Sequence, residues 1–324
     1  MNNINTLYTS FIENRNTVKK VFSSESSYII PISANVFCVN DVMADADELK
    51  KCKKLIKKNE GLFSTLRGNI RSVIAAKLSI SDDPENKLME ISRINALLKK
   101  YFSTSDYSAL LAVVLSERTS EDKVEDIAAR GKEIYKLMKK DHPILTSNED
   151  CVMAGLMAMS EKSNEDLLSE AEENFKLLRK KFSDKNAIQT VSQILALADG
   201  SPEEKTDRLI QLYEMLKENG RKFGKSSHLS TLASVSILPE DLSVICKTIL
   251  EADDFLSNQK GYGTFGLDKK TRLMHAAMLT GDYYQPADNL GASASALALV
   301  AAEEAMMCAA IVGATIAASS AAYS

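Results

Sequence analysis

The hexapeptide Gly261-Tyr262-Gly263-Thr264-Phe265-Gly266 has the spacing of a glycine-rich phosphate loop. Glycines so placed let a backbone close on a pyrophosphate, provided a strand leads in and a helix N-terminus follows. Here the preceding residues, 249–257, carry the apolar spacing of a helix. The lysine, catalytic-loop and magnesium-binding motifs that accompany a kinase glycine loop are absent from the sequence. The hexapeptide is expected to be a turn between helices.

Other residues capable of chemistry are scattered. His142 precedes Pro143, His228 follows Ser226-Ser227, and His275 lies in an apolar stretch. His228 and His275 could approach each other across adjacent segments. Two imidazoles without a nearby Asp or Cys, however, make neither a metal site nor an activated nucleophile. Carboxylate pairs recur at Glu121-Asp122, Glu149-Asp150, Glu165-Asp166, Glu203-Glu204, Asp253-Asp254 and Glu303-Glu304. Paired acids serve glycoside hydrolysis and divalent-metal binding, yet most of these open helices, where they complement the macrodipole. Asp253-Asp254 lies instead toward a helix end near Tyr262, with Asp282-Tyr283-Tyr284 one helix later. A polar pocket is expected, if anywhere, where Asp254, Tyr262, His275 and Asp282 converge, with His228 as a further candidate. The loop carrying Arg67, Asn69 and Arg71 could grip a carboxylate or phosphate, or bond the carbonyls of a preceding helix end. No cofactor and no metal site is expected.

The elements that position these residues follow a period. A large apolar residue followed by Ser, Thr or Gly recurs at Phe22-Ser23, Phe63-Ser64, Phe102-Ser103, Leu145-Thr146, Phe182-Ser183, Phe223-Gly224 and Phe265-Gly266. By subtraction the gaps are 41, 39, 43, 37, 41 and 42 residues. Such a period, without strand signals, marks stacked helical hairpins. In phase with it run helix-opening triplets: Asp83-Pro84-Glu85, Ser120-Glu121-Asp122, Asn164-Glu165-Asp166, Ser201-Pro202-Glu203 and Leu238-Pro239-Glu240, with Pro286-Ala287-Asp288 beyond. Capping oxygens, Pro at the first helical position and early acids all favour a helix start.

Each period resolves into a short apolar helix and a longer amphipathic one. The short ones are expected over 70–78, 109–115, 152–159, 191–198 and 229–236; Leu88, Ile91, Ile94, Leu97 and Leu98 illustrate the apolar stripe of a long one. The junction Phe is expected to act as a staple on the helix that its neighbouring Ser or Thr caps. The long helices end in bases, including Lys139-Lys140 and Arg179-Lys180-Lys181. A ridge through Lys139, Lys140, Lys180 and Lys181 could meet an anionic partner; dipole complementation explains the same residues more simply.

Composition narrows the classes. Of 324 residues, 45% are apolar and 26% charged, which fits a folded chain. A net charge of −4 gives nucleic acid no general attraction. Trp is absent, and with it the usual sugar-stacking platform. Five scattered cysteines without zinc spacing fit a reducing, cytoplasmic setting, and the first twenty residues lack a signal-peptide core. From Ala305 to Tyr323 the chain carries no charge over 19 residues. That length approaches a membrane span, but Ala, Ser and Gly are weakly apolar, so docking on the last repeat or on a second copy is favoured over insertion.

Phe63-Ser64 with Arg67-Gly68-Asn69, the run 133–140 with His142-Pro143, Lys222-Phe223-Gly224-Lys225, Gln259-Lys260-Gly261-Tyr262-Gly263, and Arg272-Leu273-Met274 before the Ala-rich tail together resemble the DUF4003 family of bacterial proteins of uncharacterised function. The resemblance runs from about Asp47 to the tail and implies a bacterial, cytoplasmic, helical protein; it brings no activity or catalytic residue. The combined expectation is an all-α solenoid of about seven two-helix repeats: a capping helix over 1–21, hairpins over 22–290 and an Ala-rich terminal helix over 291–324. Its function is expected to be a non-enzymatic scaffold for a protein or peptide partner. The alternatives are an enzyme on a closed α/α ring with its site near His275 and Asp282, or membrane association through residues 305–323. Self-association through the C-terminal helix is a further expectation.

Overall fold

A computed structural model of the protein describes residues 4–61, 64–263, 266–284, 298, 301 and 303–311. The helices are α1 (Ile4–Val21), α2 (Ile29–Val39), α3 (Ala46–Asn59), α4 (Arg71–Ser79), α5 (Pro84–Leu98), α6 (Asp106–Arg118) and α7 (Val124–Asp141). They continue with α8 (Asp150–Ala158), α9 (Asn164–Leu178), α10 (Lys185–Leu197), α11 (Pro202–Glu218), α12 (Leu229–Ser236), α13 (Leu242–Ser257) and α14 (Lys269–Tyr284). Among the described residues there is no strand, only an isolated bridge between Tyr262 and Leu267. The protein is all-α.

The chain forms two compact units, residues 1–135 with 307–324 and residues 136–306. In the first, α1 packs on α2 and α3, α2 on α4, and α3 on α4 and α5. In the second, α9 packs on α10 and α11, α10 on α8 and α12, α11 on α13, and α14 on α12 and α13. Even helices thus follow even ones and odd follow odd, in the two-layered manner of stacked hairpins. Polar bonds carry the same period. Ser33 donates to Ser72 at 2.9 Å, Asn69 to Asp106 at 2.8 Å, Lys77 to Glu117 at 2.7 Å and Gln189 to Asp150 at 3.0 Å. Each joins residues 37 to 40 positions apart, the corresponding places of neighbouring pairs.

Hydrophobicity sorts the layers. All nine residues of α8 and all eight of α12 are buried, so these short helices lie inside. On α5 the buried residues are Leu88, Ile91, Ile94, Asn95 and Leu98, a stripe at three- and four-residue steps that leaves a polar face in water. Asp83 caps α5 through the Asn86 N–H with Pro84 at its first turn, and Ser201 and Glu204 form a reciprocal capping box on α11.

Three expected joints differ. Ser163, one residue earlier than Asn164, caps α9. Leu238-Pro239-Glu240 precede α13, whose cap is Asp241; a carboxylate accepting from the Ser243 N–H serves where Leu238 has no acceptor. Ser120-Glu121-Asp122 opens a 3-10 turn at 121–123 before α7. The junction aromatics also work differently from a staple. The backbone N–H groups of Phe22, Phe102 and Phe182 donate to the carbonyls of Val18, Leu98 and Leu178 at 2.9, 2.8 and 2.9 Å, so the backbone of each residue ends the helix before it. The next helix is capped further on, by Ser105 for α6 and Asp184 for α10. Phe63, Thr264, Phe265 and Pro286-Ala287-Asp288 lie outside the described residues, as does most of the Ala-rich tail. Residues 303–311 are helical, with Met306, Met307 and Ile311 buried. Among the described residues, no helix is long and apolar enough to cross a membrane.

Candidate functional site

The polar residues singled out by sequence are mostly engaged with the protein's own groups. Arg67 donates to the Glu60 carbonyl at 3.4 Å, Asn69 bonds Asp106, and Arg71 grips one oxygen of Glu25 through Nε at 3.0 Å and Nη2 at 2.8 Å. The loop that could have held a foreign anion holds Glu25 and Asp106 instead. Of the basic ridge, Lys139 donates to the Thr146 carbonyl at 2.5 Å and Lys181 pairs with Glu214 at 2.5 Å, while Lys140 and Lys180 are exposed.

The glycine hexapeptide follows α13 and closes on itself. The Leu267 N–H donates to the Gly261 carbonyl at 2.9 Å, and a methyl at Gly266 would lie 2.2 Å from that oxygen. Gly261 has φ of +95°, a conformation that favours glycine. The loop carries Tyr262, whose hydroxyl meets His275 Nδ1 at 2.8 Å. His275 is 0% exposed, so this imidazole offers no surface to a solvent-borne substrate. Nearby, Asp253 is 1% exposed and takes Arg221 Nε at 2.7 Å and Arg272 Nε at 2.7 Å, while the second nitrogen of Arg221 reaches Asp254. This triad ties the end of α11 to α13 and α14. Asp282 is half-buried on α14.

His228 meets Ser226 and Gly224, whereas His275 meets Tyr262. A methyl at Gly224 would fall 2.5 Å from His228 Nδ1, so Gly224→Ala must displace the ring, at an expected cost of about 1–3 kcal/mol. Burial pushes the His228 pKa below the ordinary imidazole value, against the pull of Asp268. The fold therefore favours neutral imidazole. Stability is complete above the unfolded value of about 6.5 and falls as pH drops through the folded one. Urea denaturation at about pH 7.5 and about pH 5.5 should show this decline in the wild type and a shallower one in His228→Asn; equal slopes would refute it.

A different cluster gathers in the second unit. The end of α7, the middle of α9 and the middle of α10 enclose a cleft of about 30 Å³, room for one or two water-sized groups. Its polar lining is Asp141, His142, Glu172, Gln189, Ser192 and Gln193, with Phe175 beside them. His142 Nε2 lies 2.9 Å from Glu172, and its ring leans on Phe175 with centroids 4.9 Å apart. Gln189 and Gln193, one turn apart on α10, are 5% and 3% exposed, and the carbonyl oxygen of each accepts no hydrogen bond. The Gln189 amide nitrogen instead donates to Asp150, which burial holds above the usual carboxylate range against the Ser147 N–H and Gln189.

Only His142 in this cluster stood out by sequence as a potential reactive group. The missed signal is a pair of glutamines four residues apart among the apolar residues of α10, which places two amides on one inward face. A roomier cleft of about 480 Å³, lined by Asp199, Lys205, Asp207 and Arg208 among others, has its cations engaged. Lys205 is paired with Glu170, and Arg208 donates to the carbonyls of Ser236, Leu238 and Glu240 at 2.8, 2.8 and 3.0 Å.

Known proteins place the chain. It is 29% identical over 244 residues to the uncharacterized protein YeaA of Bacillus subtilis (strain 168), covering 72% of this chain and 71% of that protein. No solved structure matches it significantly. The model of a family described as protein of unknown function (DUF4003) matches residues 14–309, from the buried Asn14 of α1 past the hexapeptide and the α10 cleft, and the chain therefore belongs to the DUF4003 family.

Proposed function

We propose that this protein acts by binding rather than by turnover, as a helical-repeat protein that recognises a protein or peptide partner through the α7–α9–α10 cleft of its second unit. The observation that carries the reading is the buried amide pair, Gln189 and Gln193, whose carbonyl oxygens accept no hydrogen bond. A buried acceptor left unpaired costs about 1–3 kcal/mol, a penalty that a partner's donor group removes. The cytoplasm is the setting proposed, since all five cysteines are buried thiols outside any disulfide.

An enzymatic reading rests on His142 and Glu172, because an imidazole oriented by a carboxylate is a general-base arrangement. The hydroxyl on the same cleft weakens it: Ser192 donates to the Ile188 carbonyl at 2.7 Å, a back-bond within its own helix. The test is affinity capture from a lysate of a bacterium that carries the protein, with wild type and Phe175→Ala as baits. A partner retained by the wild type and lost from the variant supports recognition at this cleft. Identical captures, or none, refute it.

A further inference from the structure

We infer that the cleft takes a primary ammonium group such as the end of a lysine side chain. This rests on the binding reading above and supplies its chemistry. The lining residues include the acids Asp141 and Glu172 and the amides Gln189 and Gln193, with no lysine or arginine among them. An ammonium donates three hydrogen bonds and accepts none, so it matches a wall of acceptors, whereas an anion would meet two carboxylates. Size points the same way. About 30 Å³ admits a head group the size of water and is too small for a planar guanidinium with its five donors.

Each lining group has a part. Phe175 offers a ring face to the cation, and its contact with His142 fixes the ring's place. Glu172 already holds His142 at 2.9 Å and Lys176 at 3.3 Å, so its charge is shared and leaves the amides to complete the site. Asp141 is exposed at the rim and attracts the cation from solvent. The two amide oxygens are shut off from bulk water. The Gln193 oxygen reaches the ammonium by turning about its terminal torsion, which is broad and soft, while the Gln189 amide nitrogen stays on Asp150.

The experiment follows the side-chain amide resonances of Gln189 and Gln193 in the full-length protein during titration with n-butylammonium, n-butanol and n-butyltrimethylammonium. The expected result is saturable shifts with n-butylammonium alone, weakened about tenfold or more in Gln193→Leu. Replacing an unpaired buried acceptor by an apolar group of similar shape is close to neutral or stabilising, so the melting temperature of Gln193→Leu should equal or exceed that of the wild type. If that variant fails to fold, the comparison of the three probes on the wild type still decides. No saturable shift, an equal response to n-butanol, or undiminished affinity in a folded Gln193→Leu would overturn the assignment. Should n-butylammonium fail while a partner is still captured through Phe175, only the ammonium chemistry falls; should both fail, so does recognition at this cleft.

Discussion

Asp253→Ala is expected to lower the free energy of unfolding by about 3–5 kcal/mol, because it leaves two partly buried guanidinium groups without their shared counter-charge. Arg272 and Arg221 both bond the Asp253 carboxylate, which is almost wholly withdrawn from water. Breaking one member of such a group costs more than the group contributes when whole, since the residual charges must be rehydrated inside the fold. Asp254→Ala is the internal control. That carboxylate is exposed and also meets Arg221, and an exposed ion pair contributes about 1 kcal/mol or less. Urea denaturation of both variants measures the contrast, with hydrogen exchange on α13 and α14 locating the loosened region. Losses of similar size in the two would show that burial of Asp253 is not what matters.

The same pair shows how far a sequence can be read. Asp253-Asp254 was legible as a doublet at a helix end, unlike the acids that open helices, and that difference has a structural cause. What spacing could not show was the partners. Arg221 comes from 32 residues before Asp253 and Arg272 from 19 after, and only the packing of α11, α13 and α14 joins them. The period of about 40 residues was legible because Phe22, Phe102 and Phe182 each follow a long helix by one to four residues. Helix α2 was not anticipated, although Ile29–Val39 is apolar along most of its length. Tyr28, in the cap position, makes no side-chain cap, and Pro31 stands in the first turn with no acid beside it.

Buried asparagines were missed for a related reason. Asn14, Asn95 and Asn174 sit seven or eight residues before Phe22, Phe102 and Phe182, each on the inward face of a long helix. Asn14 accepts from the Ala44 N–H at 2.8 Å and Asn174 donates to the Ser192 carbonyl at 3.3 Å. In a stripe pattern such a residue reads as a break in the apolar face. In the fold it bonds the neighbouring segment, a backbone atom for Asn14 and Asn174 and the Thr65 hydroxyl for Asn95. Gln189 and Gln193 belong to the same class of inward polar residue, and the side-chain carbonyls of Asn95, Asn174, Gln189 and Gln193 alike accept no hydrogen bond. What sets the α10 pair apart is its place on the cleft beside Asp141 and Glu172, and that is the basis for looking to a ligand there.

Phe182→Ala and Leu145→Ala occupy equivalent places in the period, so sequence alone assigns them equal weight; the structure does not. Phe182 is buried and meets Tyr213 edge to face with centroids 5.2 Å apart. Removing its ring should cost about 3–5 kcal/mol, a cavity term added to lost transfer energy, and the aromatic pair contributes about 0.5–1.5 kcal/mol of that. Leu145 is only half-buried, and its truncation should cost about 1 kcal/mol. The register there is held by Thr146, which is buried and donates to the Met138 carbonyl at 3.1 Å, while the Ser147 N–H donates to Asp150 at 2.7 Å. The Met138 carbonyl also accepts from the His142 N–H at 2.8 Å, so Thr146→Val removes only a second bond and should cost about 1 kcal/mol, like Leu145→Ala. Denaturant midpoints for the three variants should set Phe182→Ala apart from Thr146→Val and Leu145→Ala. If Leu145→Ala matched Phe182→Ala, the junction residue would act through its place in the repeat and not through burial.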